Sequence, residues 1–370
     1  MSISERGRCG ASRPVRLVLC AMLAALAVAV NARAGERPLI GLVLSSGGCK
    51  GAYHLGVWQA LCETGLTNRI AALSGTSVGS LCAALFVSLP DPRDQQRAWR
   101  ETMSLFQIQA DKAETERIFE AAAAKKRAWY GVDRLSPKLT AQLRREAEVE
   151  ARVRRLPRIA QAWNELLADP DATNRLVGVA SFDPLVRQLE AILPEPFAPK
   201  GPDVYATALC CSRPERRAFH LNALGRPVRQ KALCASAAIP IVFPPVEIDG
   251  VLWQDGGWVE RGGDKTPIDP ILENNPDVAT VVVVYLLDQA HLPAGGREAI
   301  RRKAVARRVR LVEIVPTENI GGDLNGWSGV FDTSEETARH LAALGRQDAL
   351  TALRALASER DTGGTGALQP

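Results

Sequence analysis

Histidine is scarce. The 370 residues hold four, His54, His220, His291 and His340, and none stands in a catalytic signature. A Ser–His–Asp hydrolase would have to draw its base from these. No C-x-x-C pair occurs, which removes a common zinc-ligand spacing, so no metal is expected. A full P-loop is missing too: Lys50 follows a glycine-rich loop, but Gly51 stands where the motif needs Ser or Thr. Excess charge is small, at +5. The arginines lie in helical stretches rather than in a tract interleaved with aromatics, which argues against a nucleic-acid partner. A basic face is then either solvated or set against anionic lipid headgroups. There is no internal repeat, and the apolar run Leu17 to Val30 is too short for an ordinary membrane span.

What remains is an ordinary globular composition, 46% hydrophobic and 24% charged. Arg6, Arg8, Arg13 and Arg16 precede the apolar run, and Ala32-Arg33-Ala34 follows it. That pattern predicts a signal peptide over residues 1–34, cleaved before Gly35, and export to the periplasm or the medium. An uncleaved anchor is the alternative. Leu19 before Cys20 makes a poor lipoprotein box. Residues 35–356 read as one domain, with a helical insertion or lid over about 91–200, and 357–370 as a disordered tail. Cys49, Cys62, Cys82, Cys210, Cys211 and Cys234 sit mostly inside apolar elements, without the spacing of a disulfide scaffold.

Three stretches carry chemistry. Ile70 to Ser74 reads as a buried strand, Gly75-Thr76-Ser77-Val78-Gly79 as a tight turn, and Ser80 to Val87 as a helix. Strand, G-x-S-x-G, helix is the setting of a nucleophile elbow, where small residues must flank the serine. Upstream, Pro38 to Leu44 reads as a parallel strand and Ala52 to Leu61 as a helix. The loop between them, Ser45-Ser46-Gly47-Gly48-Cys49-Lys50-Gly51, presents backbone N–H groups to an anion, either a phosphate or an oxyanion. Without G-x-G-x-x-G or a P-loop, an oxyanion hole beside Ser77 fits better. Third, Ala235 to Pro245 leads to Trp253-Gln254-Asp255-Gly256-Gly257. Asp before two glycines is often a turn former; beside the other two stretches it reads as catalytic.

Taken together, these motifs resemble the patatin-like phospholipases, from about Pro38 to about Ala349. The family pattern is a G-G-G-x-K/R-G loop, G-x-S-x-G and D-G-G/A, in that order. The resemblance implies a three-layer α/β fold, with a mainly parallel central sheet, helices on both faces and a helical insertion. It implies a serine lipid acyl hydrolase of the phospholipase A or lysophospholipase type, acting without a cofactor on lipid at a membrane surface. By that match Ser77 is the nucleophile, Asp255 its base, and the N–H groups of Gly47 and Gly48 the oxyanion hole. Ser46, Cys49, Lys50, Gly51, Gly75, Gly79, Gly256 and Gly257 complete the motifs. Two departures stand out. Ser46 replaces the first loop glycine, and the Asn-x-Pro that usually follows D-G-G is replaced by a longer run from Trp258 to Pro267.

In order along the chain, Asp91 to Asp169 reads as helical and charged, with Ser136 capping a helix that starts at Pro137. Leu185 to Leu193 reads as a helix, Asp203 to Leu209 as a strand, and the proline-broken run after Ala235 as an irregular approach to Asp255. Thr280 to Leu287 reads as a central strand and Val309 to Val315 as the last one. Ser334 to Leu356 reads as a capped helix. A histidine-based α/β-hydrolase, an acyltransferase and an inactive lipid-binding protein on this scaffold are the rival readings.

Overall fold

A computed structural model describes residues 38–104, 112–154, 181–240, 242–321 and 328–358. The signal-peptide expectation, the end of the first helical stretch and the tail beyond Ser358 lie outside the described residues. No described helix is long and apolar enough to cross a membrane.

The first unit follows the sequence closely. Strand β1 (Leu39–Leu44) leads through a 3-10 turn, Gly48–Gly51, into α1 (Ala52–Glu63). Strand β2 (Ile70–Thr76) runs into α2 (Val78–Ser88) at the elbow. Then come α3 (Pro92–Ser104), α4 (Lys112–Tyr130), α5 (Pro137–Arg154) and α6 (Asp183–Ile192). Ser136 does cap α5: its Oγ accepts the Leu139 N–H at 3.3 Å. Helices α4 and α5 share an apolar cluster of their own, including Ile118, Phe119, Leu143 and Ala147.

Strand β3 (Asp203–Cys210) is followed by β4 (Arg216–His220), α7 (Arg226–Ser236), β5 (Val246–Ile248) and β6 (Val251–Asp255). The approach to Asp255 is therefore not irregular throughout. Asp249 (φ 53°) and Gly250 (φ 76°) form a two-residue turn that folds β5 and β6 into a hairpin. The chain ends with α8 (Asp269–Asn274), β7 (Val278–Val284), α9 (Ala294–Ala306), β8 (Arg310–Ile314), α10 (Ser328–Phe331) and α11 (Glu335–Ser358). Ser334 caps α11 by accepting the Thr337 N–H at 3.3 Å. β7 ends at Val284 rather than Leu287, although the Tyr285 N–H still donates to the Ile314 carbonyl of β8.

The eight strands form one sheet. Five of them run parallel in the order β3-β2-β1-β7-β8. β7 is flanked on both sides, one place from the edge. Side chains alternate across these strands. Leu42, Leu44, Val282 and Val284 face α1, α2 and α11, whereas Val43, Val281 and Val283 face Ile271 of α8 and Ile300 of α9. Both faces are thus covered by helices, which is why the parallel strands are apolar throughout.

The register of β3 positions the site. Thr207 pairs with Ala218 of β4 and Thr76 of β2, and Ala208 pairs with Arg217 of β4 and Asp255 of β6. A strand has two edges, and β4 occupies one of them. β2 and β6 must therefore share the other, with Asp255 one register step beyond Thr76. Ser77 follows Thr76 in the chain, so the sheet itself delivers the serine and the carboxylate to one point.

Candidate active site

Ser77 sits at the N-cap of α2 with φ 56° and ψ −127°, a region that ordinary residues enter only when their surroundings force them. Two glycines permit it. A Cβ on Gly75 would lie 2.3 Å from the Gly79 carbonyl carbon, and one on Gly79 would lie 2.1 Å from the Leu44 carbonyl oxygen. The turn is then pinned from outside. The Ser77 N–H donates to Ser236 Oγ at 3.0 Å, and that hydroxyl donates to the Thr207 carbonyl at 2.7 Å. Sequence reasoning gives Ser236 no role. The one signal it offers is being the polar residue in the small apolar run Ala235 to Ala238 that closes α7.

Asp255 accepts a hydrogen bond from the Gly257 N–H at 2.7 Å, and the Ser77 hydroxyl lies close enough to favour its ionised form. Both side chains are almost closed off from water, Ser77 at 5% and Asp255 at 7% exposed. Burial is the largest influence on the carboxyl and pushes it up from 3.8 to about 6; the Ser77 hydroxyl, the Gly257 N–H and the charge of Lys265 pull it partway back. A Cβ on Gly256 would lie 2.4 Å from the Thr207 carbonyl oxygen, so the D-G-G turn hugs β3.

The glycine-rich loop lies against this pair. Gly48 has φ 58°, and a Cβ there would meet the Val330 carbonyl of α10 at 2.5 Å. The N–H groups of Gly47 and Gly48 have no acceptor among the described residues, so they remain donors. Cys49 is not in a disulfide. Lys50 is buried, and its Nζ donates to the Leu286 carbonyl at 2.9 Å. Burial, then the charge of Lys265, lower its ammonium to about 8, while Asp288 opposes them. Lys50 therefore anchors the loop rather than presenting a charge to solvent. Gly51 packs against Val78 and Trp99, where a Cβ would lie 2.3 Å from Val78 Cγ2.

Both departures from the family pattern find a physical place. Ser46 does not adopt a positive φ and so carries no such strain. Its hydroxyl occupies the space left by Gly257, where a Cβ would come within 2.7 Å of Ser46 Oγ. The long run after Gly257 folds back over the site. The Asp264 N–H donates to the Gly256 carbonyl at 2.7 Å, and the Ser46 N–H to the Lys265 carbonyl at 2.8 Å. Thr76 Oγ1 donates to the Asp264 carbonyl at 2.7 Å, and Ser45 Oγ lies 2.8 Å from Thr266 Oγ1. This loop ties the elbow, the glycine-rich loop and the D-G-G turn together.

The histidines are occupied elsewhere. His54 Nε2 bonds the Ser45 carbonyl, His220 bonds Asp203, His291 bonds Asp288 and His340 bonds Glu318. Burial lowers His54 to about 4, which keeps its ring neutral. Among the described residues no group of three or more His, Cys, Asp and Glu could hold a metal ion. The site can therefore offer a hydroxyl beside a buried carboxyl, with two free backbone donors among the described residues. That set can support attack on an ester carbonyl.

Several known proteins are similar to this chain. A patatin-like phospholipase domain-containing protein of Caenorhabditis elegans is 50% identical over 52 residues, 14% of this chain and 4% of that protein. The chain thus spans a small fraction of that relative's length. Among solved structures, VipD from Legionella pneumophila is 15% identical with a TM-score of 0.43, over 86% of this chain and 67% of VipD. Human GIVD cytosolic phospholipase A2 is 10% identical with a TM-score of 0.44, over 87% of this chain and 59% of the enzyme. The sequence profile of the family described as Patatin-like phospholipase matches residues 42–276. That span runs from β1 through the elbow and the hairpin to α8, well over half of the chain, and the chain belongs to the patatin-like phospholipase family.

Proposed function

We propose that this protein is an exported lipid acyl hydrolase of the phospholipase A or lysophospholipase type, working through an acyl-enzyme on Ser77 with Asp255 as base. The observation that carries this reading is the convergence of Ser77 and the buried Asp255 carboxyl, which the register of β3 brings to one point. As Ser77 Oγ attacks the ester carbonyl carbon, its proton passes to Asp255. The N–H groups of Gly47 and Gly48 are the donors available to the oxyanion, held for it in advance by the loop. Asp255 then gives the proton to the departing alcohol oxygen, leaving an acyl ester on Ser77. Water delivers the second half: Asp255 takes its proton, the hydroxide attacks, and the fatty acid leaves as Ser77 regains its hydrogen. Export rests on the N-terminal pattern of Arg6 to Ala34 in the sequence.

The test is labelling with a fluorophosphonate. The parent protein is expected to take up the label, with the modified peptide containing Ser77, and to release fatty acid from phospholipid vesicles. Ser77→Ala should lose both, the hydrolysis by roughly several orders of magnitude. Labelling at another residue, or turnover retained in pure Ser77→Ala, would remove Ser77 from the chemistry.

A further inference from the structure

We propose that the tip joining α4 to α5 is a docking point for an anionic lipid surface, with Trp129, Tyr130 and Val132 entering the headgroup region inside a basic collar. This deepens the reading that the substrate is a lipid and rests on it. Trp129 is 80% exposed, Tyr130 55% and Val132 42%. Large aromatics are seldom left in water to that extent. Among the described residues, the other exposed large apolar side chains, Leu39, Leu252, Val259 and Val305, are aliphatic and scattered along the chain. At the tip, three fall within four residues, and they include both of the exposed aromatics among the described residues.

The backbone holds them there. The Val132 N–H donates to the Arg127 carbonyl at 3.1 Å and the Gly131 N–H to the Ala128 carbonyl at 3.4 Å, with Gly131 at φ 62°. These two bonds form a Schellman motif. In that motif the residue after the glycine usually packs against an apolar side chain one turn back. Here that earlier residue is Arg127, and Val132 faces water instead. The turn is thus ordered while its apolar groups stay unpacked.

Charge says what covers them. Between residues 125 and 138 stand Lys125, Lys126, Arg127, Arg134 and Lys138 against a single acid, Asp133. Lys126 Nζ lies 5.9 Å from the Tyr130 ring centre, and the Arg127–Glu120 and Lys138–Glu318 pairs are long, at 3.8 Å, and exposed. Such pairs hold their charges weakly. Tryptophan and tyrosine favour the membrane–water boundary, and clustered lysine and arginine are drawn to anionic leaflets. The position suits the chemistry. α5 begins five residues after Val132 and packs on α10, whose Val330 carbonyl closes over Gly48 of the oxyanion loop.

Vesicle sedimentation of the Ser77→Ala protein separates binding from hydrolysis. It is expected to sediment with phosphatidylcholine vesicles containing phosphatidylglycerol, and far less with phosphatidylcholine alone. Adding Trp129→Ala and Tyr130→Ala should weaken that binding by roughly tenfold or more. Lys125→Gln with Lys126→Gln should remove the preference for the anionic vesicles and its salt sensitivity. With Ser77 intact, Trp129→Ala/Tyr130→Ala should cleave a soluble short-chain ester at the parental rate. If no protein cleaves that ester while vesicle binding behaves as described, the hydrolase reading fails and the docking tip stands. The tip proposal is overturned if the Ser77→Ala protein does not bind anionic vesicles, or if the aromatic variants bind as it does. It is equally overturned if those variants dissolve a dimer without changing vesicle binding, which would assign the patch to a second copy of the chain.

Discussion

At Asp255 the proposed mechanism ties activity and stability to one burial. The carboxyl stands at about 6 in the folded protein against 3.8 for the free side chain. To accept the Ser77 proton it must be ionised, so the hydrolysis rate should climb with pH through about 6 and level off above it. Stability runs the other way. The folded protein holds this proton more tightly than the unfolded chain does. The group's contribution is therefore fully present below 3.8 and is lost as pH rises through about 6. Asp255→Asn has no charge to bury. Its denaturation midpoint should match or exceed that of the parent at pH 7, with an advantage that grows between pH 4 and pH 7 toward about 3 kcal/mol. Urea unfolding of both proteins across that range measures it. A variant that loses ground to the parent as pH rises would mean that the Asp255 charge is stabilised in the fold.

Among elements, the closest approach is between α1 and α11. A Cβ on Gly56 would lie 1.9 Å from the Ala342 carbonyl oxygen, and one on Gly345 would lie 2.2 Å from that of Tyr53. Tyr53 Oη donates to Asp348 across the same contact at 2.8 Å. Replacing a helical glycine by alanine gains about 1 kcal/mol of intrinsic propensity. Here the obstacle is backbone, which no rotamer can avoid. Gly56→Ala should therefore destabilise by about 2–4 kcal/mol. Gly295 of α9 has nothing within 4 Å of its Cβ position, so Gly295→Ala should be neutral or stabilising by up to about 1 kcal/mol. Thermal melts of the two variants separate these effects; equal shifts would mean that the helices can part at no cost.

Elements differ in how plainly the sequence announces them. β1, β2, β3 and the elbow are legible because a strand buried on both faces is a bounded apolar run, and because G-x-S-x-G leaves little choice of turn. The β5–β6 hairpin is masked, although Asp249-Gly250 is a strong hairpin pair. The prolines at 240, 244 and 245 signal irregular backbone just before it. Ser236 and Asp264 escape for another reason: their contacts with Ser77 and Gly256 cross from one part of the chain to another. Such contacts depend on strand register, which single residues do not announce. The supporting loop from Trp258 to Pro267 shows the same thing, since it ties in largely through the backbone groups of Gly256, Asp264 and Lys265, with the Thr266 side chain set against the glycine-rich loop through Oγ1.

At the scale of the whole molecule, the proposed export has a direct check. Export predicts that the protein from its native host begins at Gly35. Intact Met1 in a cytoplasmic fraction, found by mass spectrometry, would contradict it. The most direct measurement of the Ser77–Asp255 dyad is phospholipid hydrolysis by seven purified variants: Ser77→Ala, Asp255→Asn, the two combined, and each of His54, His220, His291 and His340 replaced by glutamine. A dyad predicts that Ser77→Ala and Asp255→Asn are both inactive and that combining them costs little more, because residues acting as one unit are not additive. It also predicts that the four histidine variants remain active wherever they fold. An active Asp255→Asn beside one folded but dead histidine variant would replace the dyad with a histidine-based triad.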